Sequence, residues 1–87
     1  MLIKNSLSFG KYIKILRTRK GLKLYELGSK LGIDHTLISK YETGSRLPTK
    51  EKLRLIADFF GIDYVTLTKK VVKDKQKKHF DKLASED

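Results

Sequence analysis

A chain of 87 residues, 39% of them hydrophobic, has room for one small packed domain and a short appendage, and is too apolar for a disordered polymer. It contains no cysteine, which excludes disulfides, cysteine-based zinc sites and thiol catalysis. Lys+Arg number 20 against 10 Asp+Glu, and the resulting formal charge of +10 argues for a polyanionic partner without separating DNA from RNA or from an anionic membrane surface.

Apolar runs are only a few residues long, and the opening MLIKNSLSFGK lacks the apolar stretch of a secretory signal. A cytoplasmic protein with no membrane span is therefore expected. In the first segment Phe9, Ile13 and Leu16 recur at i, i+4 and i+7 with Tyr12 beside them, an amphipathic helix. Ser8 suits its N-cap, Arg17, Arg19 and Lys20 suit its C-terminal dipole, and Gly21 supplies the left-handed stop. A second helix is predicted from about Leu24 to Leu31, with Leu24, Leu27 and Leu31 inward and Gly32 at its end. Asp34 caps a third, roughly His35 to Glu42, with Ile38 and Tyr41 inward and Gly44 closing it. Pro48 discourages helix in the Ser45–Pro48 loop. Thr49 caps a fourth helix with Leu53, Ile56, Ala57 and Phe60 inward, ended by Gly61. Asp63 caps a short fifth containing Val65 and Leu67.

No strand-like alternation competes with this pattern. The expected architecture is all-α: an N-terminal arm over 1–7, a five-helix body over 8–68, and a basic tail over 69–87. The tail holds seven lysines and four acids. It either extends helix five or stays disordered, with Val71, Val72, Phe80 and Leu83 as the candidates for an apolar face. Its lysines form either a solvated run or an arm grazing phosphates. His79 stands alone and receives no ligand role.

The stretch Leu24 to Glu42, LYELGSKLGIDHTLISKYE, carries most of the functional signal. Two short helices meet across a turn at Gly32 too tight for anything but a helix-turn-helix. Gly28 gives clearance where their backbones approach, and Leu27, Leu31, Ile33, Ile38 and Tyr41 form the shared core. His35, Thr36, Ser39 and Lys40 are then adjacent on the outward face of helix three, with the length and chemistry to lie in a DNA major groove.

Further residues fall in a familiar order: Ile13-x-x-Leu16-Arg17, Gly21-Leu22, Leu27 with a small residue after it, Leu31-Gly32-Ile33, Ile38-Ser39-x-Tyr41-Glu42-x-Gly44, Pro48, and Ile56-Ala57-x-x-Phe60-Gly61-Ile62. This ordered set, covering about sixty residues of the chain, resembles the lambda-repressor-like helix-turn-helix family of XRE/Cro-type regulators. The resemblance implies that helix three enters the major groove N-terminus first, with His35, Thr36 and Lys40 at base edges and Ser39 close by. It implies a structural ion pair between Arg17 and Glu42, and phosphate contacts from backbone amides at the starts of helices two, three and four. Three positions depart from the family's pattern. Lys23 replaces the usual Ser or Thr cap of helix two, a loss of about 1 kcal/mol, and Leu24 replaces a Gln that anchors to phosphate. Gly28 stands where alanine is usual, at about 1 kcal/mol of helix propensity.

Lys40 can donate to guanine O6 or N7; Thr36 and Ser39 can bond base edges or phosphate; His35 can reach guanine N7 or phosphate. Lys23, Arg46, Thr49 and Lys50, with Lys52 nearby, are the phosphate candidates. One reading helix covers too few base pairs for genomic specificity, so a homodimer on a two-fold symmetric operator is expected, its contact sought among Ile62, Tyr64, Val65, Val71 and Val72. The leading reading is a transcriptional regulator, with phage repressor, restriction–modification controller and toxin-neutralising antitoxin as settings. A protein-interaction adaptor that has lost DNA binding is the alternative. No nucleophile–base pair, metal-ligand cluster or phosphate-cradling loop appears, so neither an enzyme nor a cofactor, metal or small-molecule ligand is implied. No helix combines the broad apolar and basic faces of a membrane-surface binder.

Overall fold

A computed structural model describes the backbone of residues 7–85 and the side chains of residues 7–75. Residues 1–6 of the expected 1–7 arm, and the side chains of His79, Phe80 and Leu83, lie outside what is described. Five α-helices follow in order: α1 (Phe9–Arg19), α2 (Leu24–Leu31), α3 (His35–Thr43), α4 (Lys50–Phe60) and α5 (Tyr64–Ser85), with no strand among the described residues. The all-α, five-helix expectation therefore holds, with helix boundaries within a residue of those predicted for the first four. Caps account for that agreement. Ser8 Oγ accepts from Lys11 N–H and Thr49 Oγ1 from Lys52 N–H, each at 3.3 Å, satisfying backbone donors that a helix start leaves open.

The core draws one or more side chains from every helix: Phe9, Ile13, Leu27, Leu31, Ile38, Tyr41, Leu53, Ile56, Ala57, Leu67 and Val71, joined by Ile33 from the α2–α3 turn. Burying a side chain of this kind contributes roughly 1.5–3 kcal/mol. α3 packs against both α1 and α2, while α5 packs on α4 and returns to α1. Phe9 meets Tyr41 edge-to-face at 6.4 Å between ring centroids, a favoured aromatic geometry.

α5, expected to be short, passes position 68 without a break and runs to Ser85, so over 69–85 the tail takes the helical of its two expected forms. Val71 is 6% exposed and follows Leu67 by four residues, prolonging the same buried stripe. Asp74 Oδ2 accepts from Phe9 N–H at 2.9 Å, Lys70 Nζ donates to the Leu7 carbonyl at 3.2 Å, and the Lys70 ammonium lies 4.8 Å above the Tyr12 ring. Residues 69–75 thus clasp the start of α1. Val71 is core and unavailable as an intermolecular contact. Ile62 and Tyr64 are half-buried, which leaves Val65 and Val72, 55% and 45% exposed, on the outside.

Candidate nucleic-acid interface

The α2–α3 turn brings two backbones into direct contact. Gly32 adopts φ 71°, a left-handed conformation open to glycine. Ile33 N–H donates to the Gly28 carbonyl at 3.0 Å. A Cβ on Gly28 would lie 2.5 Å from the Ile33 carbonyl oxygen and 3.2 Å from His35 N, so glycine here is a requirement of the approach, not merely one small residue among several. Lys23 occupies the N-cap of α2 without a side-chain capping bond; instead Glu26 Oε1 accepts from Lys23 N–H at 2.8 Å. That is half of a capping box, because an ammonium has no acceptor to complete the other half.

Asp34 starts α3. Its Oδ1 accepts both the Thr36 backbone N–H at 2.9 Å and the Thr36 hydroxyl at 2.8 Å. These two bonds, the backbone one first, hold the Asp34 carboxyl below its ordinary value. The helical repeat then sets the outward side: His35, Thr36 and Lys40 are exposed and Ser39 half-buried, while Ile38 and Tyr41 point into the core. None of the four polar residues is drawn into the interior.

The phosphate candidates sit at helix starts and in the loop after α3. Lys23, Arg46, Thr49 and Lys50 are all exposed, and Lys52 is half-buried. Arg46 N–H and Ser45 N–H both donate to the Lys40 carbonyl, at 3.3 and 2.9 Å, tying the loop to the end of α3. Thr49 uses a lone pair on Lys52 N–H, which leaves its hydroxyl hydrogen to donate outward.

Arg17 fixes the angle of α3. Its Nε donates to Glu42 Oε2 at 2.7 Å, its Nη2 to Glu42 Oε1 at 3.1 Å, and its Nη1 to the Leu22 carbonyl at 2.8 Å. One side chain therefore joins α1, the α1–α2 turn and α3, with its side chain 11% exposed and that of Glu42 6%. All three guanidinium nitrogens are engaged, so Arg17 holds α3 in place and does not reach outward.

Three contributors escaped the residue-level reading. Gly10 lets α1 reach the end of α3, since a Cβ there would strike the carbonyls of Tyr41 and Glu42. Asp74 caps α1 from across the molecule. The second grip of Asp34, on the Thr36 hydroxyl, turns a cap into part of the outward face. An Asp-x-Thr spacing at a helix start is a signal for that bond; Gly10 and Asp74 carry no comparable local sign.

No group of three or more His, Asp or Glu side chains capable of holding a metal occurs among the described residues. No helix among them is long and apolar enough to cross a membrane.

The geometry is that of a helix-turn-helix, and comparison with known proteins agrees. The Helix-turn-helix family model matches residues 13–67, and the chain belongs to that family. The chain is also similar to the HTH-type transcriptional activator BcrR of Enterococcus faecalis, 36% identical over 56 residues, which are 64% of this chain and 28% of BcrR. It thus spans little more than a quarter of that relative's length. No solved structure gives a significant match.

Proposed function

We propose that the chain is a sequence-specific, double-stranded-DNA-binding transcription regulator that lays α3 in the major groove and binds a two-fold symmetric operator as a homodimer in the cytoplasm. One observation carries this reading: α3 is gripped on its inner side by α1 and α2, while its outer side presents His35, Thr36 and Lys40 to solvent. A helix so held is a rigid probe of groove dimensions. His35, Thr36, Ser39 and Lys40 are the base-reading residues; Lys23, Arg46, Thr49 and Lys50 bind phosphates. As activator or as repressor, the binding step is the same. An adaptor would present an apolar face on α3, and this face is polar.

The dimer contact falls on Val65 and Val72, seven residues apart on one side of α5 and both exposed. Two half-sites would then be spaced by one helical turn of DNA, roughly 34–36 Å.

Selection from random duplexes with the full chain tests the proposal. The expected product is a two-fold symmetric motif whose recovery is lost in the Thr36→Ala/Lys40→Ala variant. Failure to enrich any duplex at modest ionic strength overturns the reading, and an asymmetric motif overturns its dimeric part. Val65→Asp/Val72→Asp should shift the protein toward monomer in sedimentation.

A further inference from the structure

We propose that Asp34 determines what Thr36 reads, by holding the threonine hydroxyl hydrogen so that Thr36 offers the groove only an acceptor lone pair and a methyl group. The inference rests on the DNA-binding reading above and deepens it to a base class. A free threonine hydroxyl is ambivalent: it rotates to donate to guanine or thymine acceptors, or to accept from an exocyclic amine. Here that rotation is blocked. The Thr36 Oγ1 to Asp34 Oδ1 separation is 2.8 Å, and the same Oδ1 receives Thr36 N–H at 2.9 Å. A carboxylate can only accept, so the hydrogen between the two oxygens belongs to Thr36. Two bonds from one residue to one carboxylate oxygen also fix the Thr36 side-chain torsion, and both residues are fully outside the core.

The remaining chemistry is complementary to a base bearing an exocyclic amine, adenine N6 or cytosine N4, both of which lie in the major groove. In an A·T pair the threonine methyl gains a second surface, the thymine methyl. Guanine O6 and N7 and thymine O4, which need a donor, are rejected by lone-pair opposition. Asp34 itself, an acceptor at the same edge, reinforces that rejection.

The test compares the full chain with two variants in duplex selection, followed by binding to the recovered duplexes. Thr36→Val keeps the methyl and removes the oxygen; Asp34→Gly keeps a competent helix start and frees the hydroxyl. The position whose preference is lost in Thr36→Val should carry adenine or cytosine for the natural chain, with discrimination falling by about two- to 13-fold, the equivalent of about 0.5–1.5 kcal/mol for one neutral hydrogen bond. In Asp34→Gly that position should broaden to admit guanine or thymine while the rest of the motif is unchanged. Replacing an adenine there by purine, which lacks N6, should cost the natural chain as much affinity as Thr36→Val does; replacing the paired thymine by uracil reads the methyl contribution separately. A natural preference for guanine or thymine at that position, an unaltered profile in Thr36→Val, or an Asp34→Gly profile equal to the natural one overturns the assignment while leaving sequence-specific binding intact. Absence of any enriched duplex removes both.

Discussion

Arg17 and Glu42 form a bidentate ion pair between the first and third helices, and the third nitrogen of the arginine closes on the Leu22 carbonyl. The relationship ties α3 to the scaffold at its C-terminal end, while the Gly28 carbonyl, accepting from Ile33 N–H, ties the turn at the other. Both partners are nearly sealed from water, so the loss of one strands the other's charge. Arg17→Met or Glu42→Gln should each destabilise the fold by about 3–5 kcal/mol, read as a lower midpoint in urea. Arg17→Met/Glu42→Met should recover much of that loss, because an apolar pair of similar volume leaves no uncompensated charge. A double variant as unstable as the sum of the two singles would mean that the residues act independently.

Gly28→Ala sets two effects against each other. Alanine gains about 1 kcal/mol of helix propensity, but its Cβ would lie 2.5 Å from the Ile33 carbonyl oxygen. The opposing atom is backbone in a hydrogen-bonded turn and cannot swing aside, so the steric cost dominates. Thermal unfolding should show Gly28→Ala melting below the natural chain, while Ser29→Ala, exposed on the same helix, melts at or slightly above it. Equal stability of Gly28→Ala would show that the turn yields.

The contrast between these glycines and the rest of the fold shows what the residues alone can carry. Helix starts and ends were readable because Ser8, Asp34, Thr49 and the four helix-ending glycines act within a few residues of where they stand. The inward positions were readable because a 3.6-residue repeat places Leu27 and Leu31, or Leu53, Ile56 and Ala57, on one side. The outward side of α3 followed by subtraction. What depended on distant partners was hidden. Asp74 sits 65 residues from the Phe9 N–H it caps, inside a run of lysines that reads as solvated. Val71 reads as a candidate for an apolar tail face or a dimer contact, although its spacing from Leu67 places it on the buried stripe. Gly10 reads as an ordinary helical glycine until the carbonyls of Tyr41 and Glu42 are seen against it.

Stability should fall in acid through Asp34. Its carboxyl is held below the ordinary aspartate value by the Thr36 backbone N–H and then by the Thr36 hydroxyl. A carboxyl depressed in the folded state contributes stability that is fully present above its unfolded value, near pH 4, and is lost as pH falls through the folded value. Asp34→Asn, which caps without titrating, should flatten the part of the stability–pH curve that lies below about pH 4. In carboxyl-resolved NMR titration, Thr36→Val should move Asp34 upward toward the ordinary range, because one of the two bonds is gone. An unmoved titration would show that the hydroxyl bond has no weight.

Phosphate binding and base reading should separate in their response to salt. Lys23, Arg46 and Lys50 carry charge at helix starts and in the loop after α3, outside the outward stripe of α3 itself. Replacing any one by Ala should weaken all duplexes alike and reduce the slope of log K against log salt by about 0.9. Lys40→Ala removes a donor from the reading stripe, and its principal effect should be a loss of about 1–3 kcal/mol of preference at one base pair in each half-site. Binding of the selected duplex and of a scrambled one, measured from 50 to 200 mM salt, distinguishes the two groups. A Lys40→Ala variant that loses slope and affinity equally on both duplexes would move Lys40 from the base edges to the backbone. Arg46 is the sharper case, because its backbone is tied to the Lys40 carbonyl. If Arg46→Ala alters preference as well as slope, the loop positions the reading helix in addition to neutralising phosphate.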